Sequence, residues 1–241
     1  MTAHFVHLLD AIQRRATRMA CLVEDMVQEA TEATIAGDQT LARRVITRDA
    51  DVDAEEVDVE SEVIRLMALY QPVGSDLRLL CTILKTNNDL ERIADCAVNI
   101  AERARHLDRA TVDLHRETLI DMSSFVRGML RKAVAAFATE DLDAAHATFS
   151  REQQVDELYG QIIRQLVADA AATSDVMAAR LDVLSVAKNL ERIADHATNI
   201  AEDVIFLSTG RIVRHSNDVT RPDESDGGPP TSPPSSEPDG P

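Results

Sequence analysis

The sequence predicts an all-α protein, and three observations carry that expectation. Aromatic residues make up 3% of the 241 and Trp is absent, so a core must be assembled from Ala, Leu, Ile and Val, in the manner of tightly packed helices rather than sheets. The chain has eight prolines, most of them in its last twenty residues, so the rest lacks the turn punctuation a β fold needs. Finally, one stretch occurs twice. Residues 90–102 read LERIADCAVNIAE and residues 190–202 read LERIADHATNIAE. They differ only at Cys96 against His196 and Val98 against Thr198. An offset of 100 residues is too long for a solenoid unit of roughly 20–50 residues, and it fits two copies of a domain-sized half.

The elements follow in order. Apolar residues recur at Leu8, Leu9, Ile12, Ala16, Met19, Leu22, Val23, Met26 and Val27, which is the i, i+3, i+4, i+7 rhythm of one long helix from Phe5 to about Ile35. Gly37-Asp38 stops it and caps a second helix, Thr40 to Tyr70, periodic through Leu41, Val45, Val52, Val59, Val63 and Leu66. Gln71-Pro72-Val73-Gly74-Ser75-Asp76 is a break with Ser75 as the expected N-cap. A third helix carries the first copy of the repeat to about His106. The second half retraces this pattern: a helix over Thr111–Thr139, Glu140-Asp141 in the place of Gly37-Asp38, a helix to about Ala172, a break at Thr173-Ser174-Asp175, and a last helix to about Ser208. Six long helices in two sets of three make two tandem antiparallel three-helix bundles, an internal duplication. The expected division is a first bundle over 1–108, a second over 109–209, and a tail over 210–241. From residue 218 the tail is dense in Pro, Ser, Gly and Asp without apolar periodicity, the composition of a disordered segment.

Charge narrows the function. With 42 acidic residues against 25 Lys plus Arg, the net charge is −17, which excludes the basic footprint of a nucleic-acid binder. No stretch approaches the roughly 18 apolar residues of a membrane span, and MTAHFVHLLDAIQRR lacks the apolar run of a secretory leader. Three cysteines, Cys21, Cys81 and Cys96, have no CxxC spacing. Free thiols in a reducing, cytoplasmic setting are expected.

On a helical wheel Leu90, Ile93, Ala94, Ala97, Ile100, Ala101 and Ala104 gather on the core face, while Glu91, Asp95, Asn99 and Glu102 gather opposite, as do Glu191, Asp195, Asn199 and Glu202. A solvated face needs only polarity, yet both copies keep the same acids, although like charges four residues apart repel. The preceding helix of each half carries its own pair. Aligning the two breaks superposes Arg48-Asp49-x-x-x-Asp53 on Arg151-Glu152-x-x-x-Asp156. Four carboxylates on two adjacent helices need something positive among them. Carboxylate-only donors suit hard or borderline cations such as Mg²⁺, Mn²⁺, Ca²⁺ or iron. An inter-helix lattice through Arg48, Arg92, Arg151 and Arg192 would serve as well, without metal.

The duplicated LERIAD-x-A-x-NIAE after an acid-x-x-x-Asp helix, with Gln71-Pro72-Val73-Gly74-Ser75-Asp76-Leu77-Arg78 between them, closely resembles the PhoU family of phosphate-signalling regulators over about residues 5–208. The resemblance implies two three-helix bundles and no catalysis. It implies a cytoplasmic negative regulator of the phosphate-starvation response, linking a high-affinity phosphate ABC transporter, through its ATPase subunit, to a sensor histidine kinase. It also implies a homodimer and a set of metal sites. Carried over residue by residue, these fall on Asp49, Asp53, Glu91 and Asp95 in the first half and Glu152, Asp156, Glu191 and Asp195 in the second. The implied ions are divalent or trivalent, iron or zinc, then manganese or magnesium. Ser174-Asp175-Val176-Met177 lacks the Leu-Arg of the first loop.

Two rivals stand beside this reading. A di-iron carboxylate oxidase needs Glu-x-x-His on inward faces, and the chain has neither that spacing nor that direction. No P-loop or nucleophile-elbow sequence occurs. A metal-independent helical adaptor would use the acidic faces to dock basic partner surfaces. His196, one residue from Asp195, is expected on the helix surface or partly packed.

Overall fold

The computed structural model describes residues 3–168 and 173–213. Helices dominate them: α1 (Ala3–Ala36), α2 (Gln39–Tyr70), α3 (Ser75–Ala104), α4 (Arg109–Thr139), α5 (Leu142–Phe149), α6 (Glu152–Val167) and α7 (Ser174–Thr209). Among the described residues no helix is long and apolar enough to cross a membrane.

The two anticipated mid-half breaks are built alike. Gly37 adopts a φ of 71° and Asp38 accepts from the backbone N–H of Thr40 and Leu41. In the second half Glu140 takes a φ of 55° and Asp141 accepts from the N–H of Asp143 and Ala144. Each pair satisfies orphan helix donors through an Asp N-cap. The break before α3 differs from expectation. Gly74, with a φ of 63°, occupies the N-cap and Ser75 is already helical, so no side-chain cap bond forms there.

The middle helix of the second half is also interrupted, whereas its counterpart α2 is continuous. The Thr148 and Ser150 hydroxyls donate to the carbonyls of Ala144 and Ala147, the local side-chain bonding that competes with a helix ladder. Arg151 is the N-cap of α6, with its guanidinium 4.9 Å from the Phe125 ring centroid. The helix restarts at Glu152, which places that acid in a first turn, where the helix dipole favours negative charge. α6 ends at Val167 with Ala168 as its C-cap, short of the expected end near Ala172, which itself lies outside the described residues.

α1, α2 and α3 form one bundle; α4, α5–α6 and α7 form the other. The halves join where α3 packs on α7 and α1 on α4. α3 and α7 run antiparallel, since Arg78 at the start of α3 donates to the carbonyl of Leu207 at the end of α7, while Arg103 pairs with Asp182 at 3.1 Å. The contacts obey a local twofold: Thr82 bonds the carbonyl of residue 203, and residue 182 meets residue 103. One continuous hydrophobic core runs through both halves. Every apolar position of the first repeat's wheel, Leu90 to Ala104, is buried in it. α7 closes at Gly210, whose φ is 73°. From residue 214 the expected disordered tail lies outside the described residues.

Leu90 and Leu190 are equivalent and both essentially fully buried. Leu90→Ala and Leu190→Ala should each lower unfolding stability by about 2–5 kcal/mol, the range for deleting a buried Leu side chain. Urea titration would check this. A loss at one site only would show that the two halves do not share their core as described.

Candidate functional site

The eight acids predicted from spacing fall into two ladders, one on each bundle. α2 and α3 run antiparallel with Asp49 opposite Asp95 and Asp53 opposite Glu91. Burial, then Asp53, Asp95 and Glu102, hold the Asp49 carboxyl above its ordinary range. Burial and Asp95 do the same for Glu91, against a weaker lowering by Arg92. The first pair is only partly shielded: the Glu91 side chain is 22% exposed and Asp95 42%. The acids therefore line a seam between the helices, covered on one side by α2 and open on the other.

The second ladder repeats the register, with Glu152 opposite Asp195 and Asp156 opposite Glu191. Burial raises the carboxyls of Glu152, Asp156 and Asp195, and the carboxylates of the facing helix raise them further. Lys188 opposes this, but it pairs with Glu191 on its own helix and lies 5.5 Å from the Tyr159 ring centroid.

The arginines do not form the alternative inter-helix lattice. Arg48 turns away from the seam to Glu29 of α1, at 3.2 Å. Arg92 pairs with Glu91 and Asp95 of its own helix, both at 3.3 Å. Arg151 lies on Phe125. Arg192 makes no ion pair among the described residues. Among the described residues no arginine bridges the facing helices at either ladder, and Lys188 offsets only part of the repulsion at the second, so the facing carboxyls stay raised.

All-oxygen donors with surplus negative charge match the chemistry of hard cations. The tips, however, stand apart: among the described residues no three His, Cys, Asp or Glu side chains are gathered closely enough to hold a metal ion. Charge and donor type fit a cation, and rotation of the carboxylates about their side-chain bonds would be needed to converge on one.

Spacing did not reveal the polar contacts where α3 meets α7. Asp89 accepts from Asn199 at 3.2 Å and lies 2.8 Å from the His196 Nδ1. His196 is thus partly packed against α3. Lys85 donates to Asp203 at 2.8 Å, with its ammonium 4.9 Å from the Phe206 ring centroid. These residues edge a groove of about 710 Å³ that also reaches Glu152, Asp195 and Thr198. The second ladder therefore opens onto the seam between the two halves. Only the helix crossing, which joins positions more than 100 residues apart, brings these groups together.

Known proteins match this arrangement along nearly its whole length. The PhoU domain model covers residues 16–104 and 119–204. The chain is 37% identical over 215 residues to a phosphate-specific transport system accessory protein PhoU homolog of Caulobacter vibrioides, covering 87% of this chain and 94% of that one. It is 35% identical over 210 residues to the accessory protein PhoU of Serratia marcescens, covering 86% and 85%. The crystal structure of PhoU from Pseudomonas aeruginosa superposes with a TM-score of 0.78 at 33% identity, covering 86% of this chain and all of that one. The phosphate transport system regulatory protein PhoU from Streptococcus pneumoniae gives 0.79 at 26% identity, covering 87% and 99%.

The facing carboxyls carry a pH signature in metal-free protein. A carboxyl raised in the folded state binds more protons there than in the unfolded chain, so its contribution to stability falls as pH climbs through the interval above the ordinary carboxylate range. Asp195→Asn removes one such group. It should stabilise the chelator-treated protein near neutral pH by on the order of 0.5 kcal/mol, the scale of relieved like-charge repulsion. The gain should shrink as pH falls from neutral toward the ordinary carboxylate range, because the raised wild-type carboxyl takes up its proton there. Urea midpoints at several pH values would read it, and a gain independent of pH would contradict the electrostatic account.

Proposed function

The chain belongs to the PhoU family, and on that premise we propose that it is a cytoplasmic negative regulator of the phosphate-starvation response. In this reading it couples a high-affinity phosphate ABC transporter to a sensor histidine kinase and damps signalling when phosphate is plentiful. The partners are the transporter's ATPase subunit and the kinase, and the working form is a homodimer. It acts by binding rather than catalysis, does not insert into the membrane and does not bind nucleic acid. The near full-length match to phosphate-transport accessory proteins supports the role.

The proposal extends to metal at the two ladders, held by Asp49, Asp53, Glu91 and Asp95 and by Glu152, Asp156, Glu191 and Asp195. Iron and zinc come first, then manganese or magnesium. The observation that carries it is the facing carboxylates, with no arginine across the seam among the described residues. A bound cation would supply the positive charge that the seam lacks. The chain's own contribution is to hold paired carboxylates on two rigid antiparallel helices, one turn apart, so that drawing them together fixes α2 against α3 and α6 against α7. The metal-free adaptor is the second reading, favoured by the separation of the acid tips. In it the same carboxylates receive basic side chains of a partner.

Two measurements separate these readings. Elemental mass spectrometry on protein incubated with iron, zinc and manganese should find about one ion or more per half. The ions should be lost from a variant with Glu91→Gln, Asp95→Asn, Glu191→Gln and Asp195→Asn, because the carboxylates that touch the ion dominate affinity for hard cations. No metal in either sample would leave the adaptor. Separately, the gene should restore repression of a phosphate-starvation reporter in cells lacking their own accessory protein. Constitutive reporter expression, with the protein present and folded, would sink the regulatory role.

A further inference from the structure

The two positions at which the duplicated stretch departs from itself lie together on the α3–α7 seam. His196 stands where the first copy has Cys96, and its ring holds Asp89 across the crossing. Thr198 stands where the first copy has Val98, and it lines the groove. Under the local twofold the counterpart of the Asp89–His196 pair is Asn189–Cys96, two buried groups with no carboxylate between them. The second copy alone therefore places an imidazole and a hydroxyl at this crossing, and the acid they meet there, Asp89, comes from α3.

The groove's charges sort into satisfied and unsatisfied groups. Lys85 is committed to Asp203, and Asp89 to His196 and Asn199. Glu152 and Asp195 face each other from α6 and α7, with neither hydrogen bond nor ion pair among the described residues. Thr198 is 8% exposed, and its buried hydroxyl has no hydrogen-bond partner. A buried hydroxyl without a partner is costly in a folded protein, and Glu152 and the exposed Asp195 bring unpaired negative charge into the same groove.

We propose that the α3–α7 groove receives an arginine side chain of a partner protein, bound between Glu152, Asp195 and the Thr198 hydroxyl. A guanidinium is planar, permanently charged and presents several donors in a fixed fork, so it spans two separated carboxylates that a single ion would have to draw together. About 710 Å³ lies in the size range of a ligand pocket rather than an ion site. The groove is open along two long helices. An arginine projecting from a docked surface is delivered there with its water excluded by that surface. This deepens the docking reading above. Its test uses neither transporter nor kinase, so it can fail while that reading stands.

The test is fluorescence anisotropy of the full chain, treated with chelator, against a labelled alanine-rich helical peptide carrying two arginines one turn apart. Saturable one-to-one binding is expected, and the citrulline version of the peptide should not bind. Thr198→Val, which installs the residue found at position 98, should weaken binding about tenfold, the scale of a lost hydrogen bond to a charged group. Glu152→Gln with Asp195→Asn should weaken it by about a hundredfold or more. Glu117→Gln with Asp121→Asn removes the same two charges from the exposed face of α4 and should change it by less than about twofold. Circular dichroism would confirm that each variant folds. The proposal is overturned if Thr198→Val binds like wild type, if both charge-removing pairs weaken binding equally, if citrulline binds as arginine does, or if free spermidine displaces the peptide at equal concentration.

Discussion

The antiparallel packing of α3 against α7 is the contact on which the rest of the molecule depends. A three-helix bundle of about 100 residues can hold a core of its own. Here, however, the repeated apolar faces of both halves merge into one cluster. The polar contacts along the crossing, from Arg78 on Leu207 to Arg103 on Asp182, hold its register. Because that register obeys a local twofold, whatever the duplicated sequence places on one flank of α3 is presented again on the opposite flank of α7. Two similar ladders therefore follow from one crossing, and any difference between them must come from residues at which the copies diverge.

Burying one face of each repeat helix forces the acids of the other face against a neighbour. Residues four apart lie on the same side of a helix, so an acid-x-x-x-acid pair on α3 meets the matching pair on antiparallel α2 in reverse order. Asp49 then faces Asp95, and Asp53 faces Glu91. The apolar positions require that geometry, and the charge follows as its consequence. A fold that confronts carboxylates in this way carries an electrostatic cost, which Arg92 and Lys188 relieve in part and an added cation or protonation would relieve further.

How much of this could be read from the chain divides along physical lines. Helix periodicity, the repeat and the Asp caps at 38 and 141 depend on a few neighbouring residues, and they were legible. The ladders were legible too, because i, i+4 spacing settles which face an acid occupies. The break between α5 and α6 was not, since apolar periodicity resumes at Val155 in phase with a continuous helix and the interruption arises from hydroxyl-to-carbonyl bonds and the packing of Arg151 on Phe125. Ser75 looked like a cap because Ser favours that position, but Gly74 takes the positive φ there. The arginines could be placed near the acids but not aimed. Arg48 has a reach that covers both the seam and α1, and Glu29 is the partner it finds. Asp89 and His196 pair across more than 100 residues, a separation at which no local pattern carries information.

Glu152 and Asp195 belong at once to the second ladder and to the α3–α7 groove. The two proposed occupants of these carboxylates draw on the same negative charge, so each would weaken the other by the free energy of the contacts they share, and the weakening must be reciprocal. The first ladder has no such double membership in its divergent residues, since Cys96 is buried and Val98 carries no hydrogen-bonding group. The duplication thus yields two acid sites of common ancestry in geometry but different in connection. One is bounded by its own bundle. The other lies where the two bundles meet, so that what binds its carboxylates also bears on the surface the halves present together.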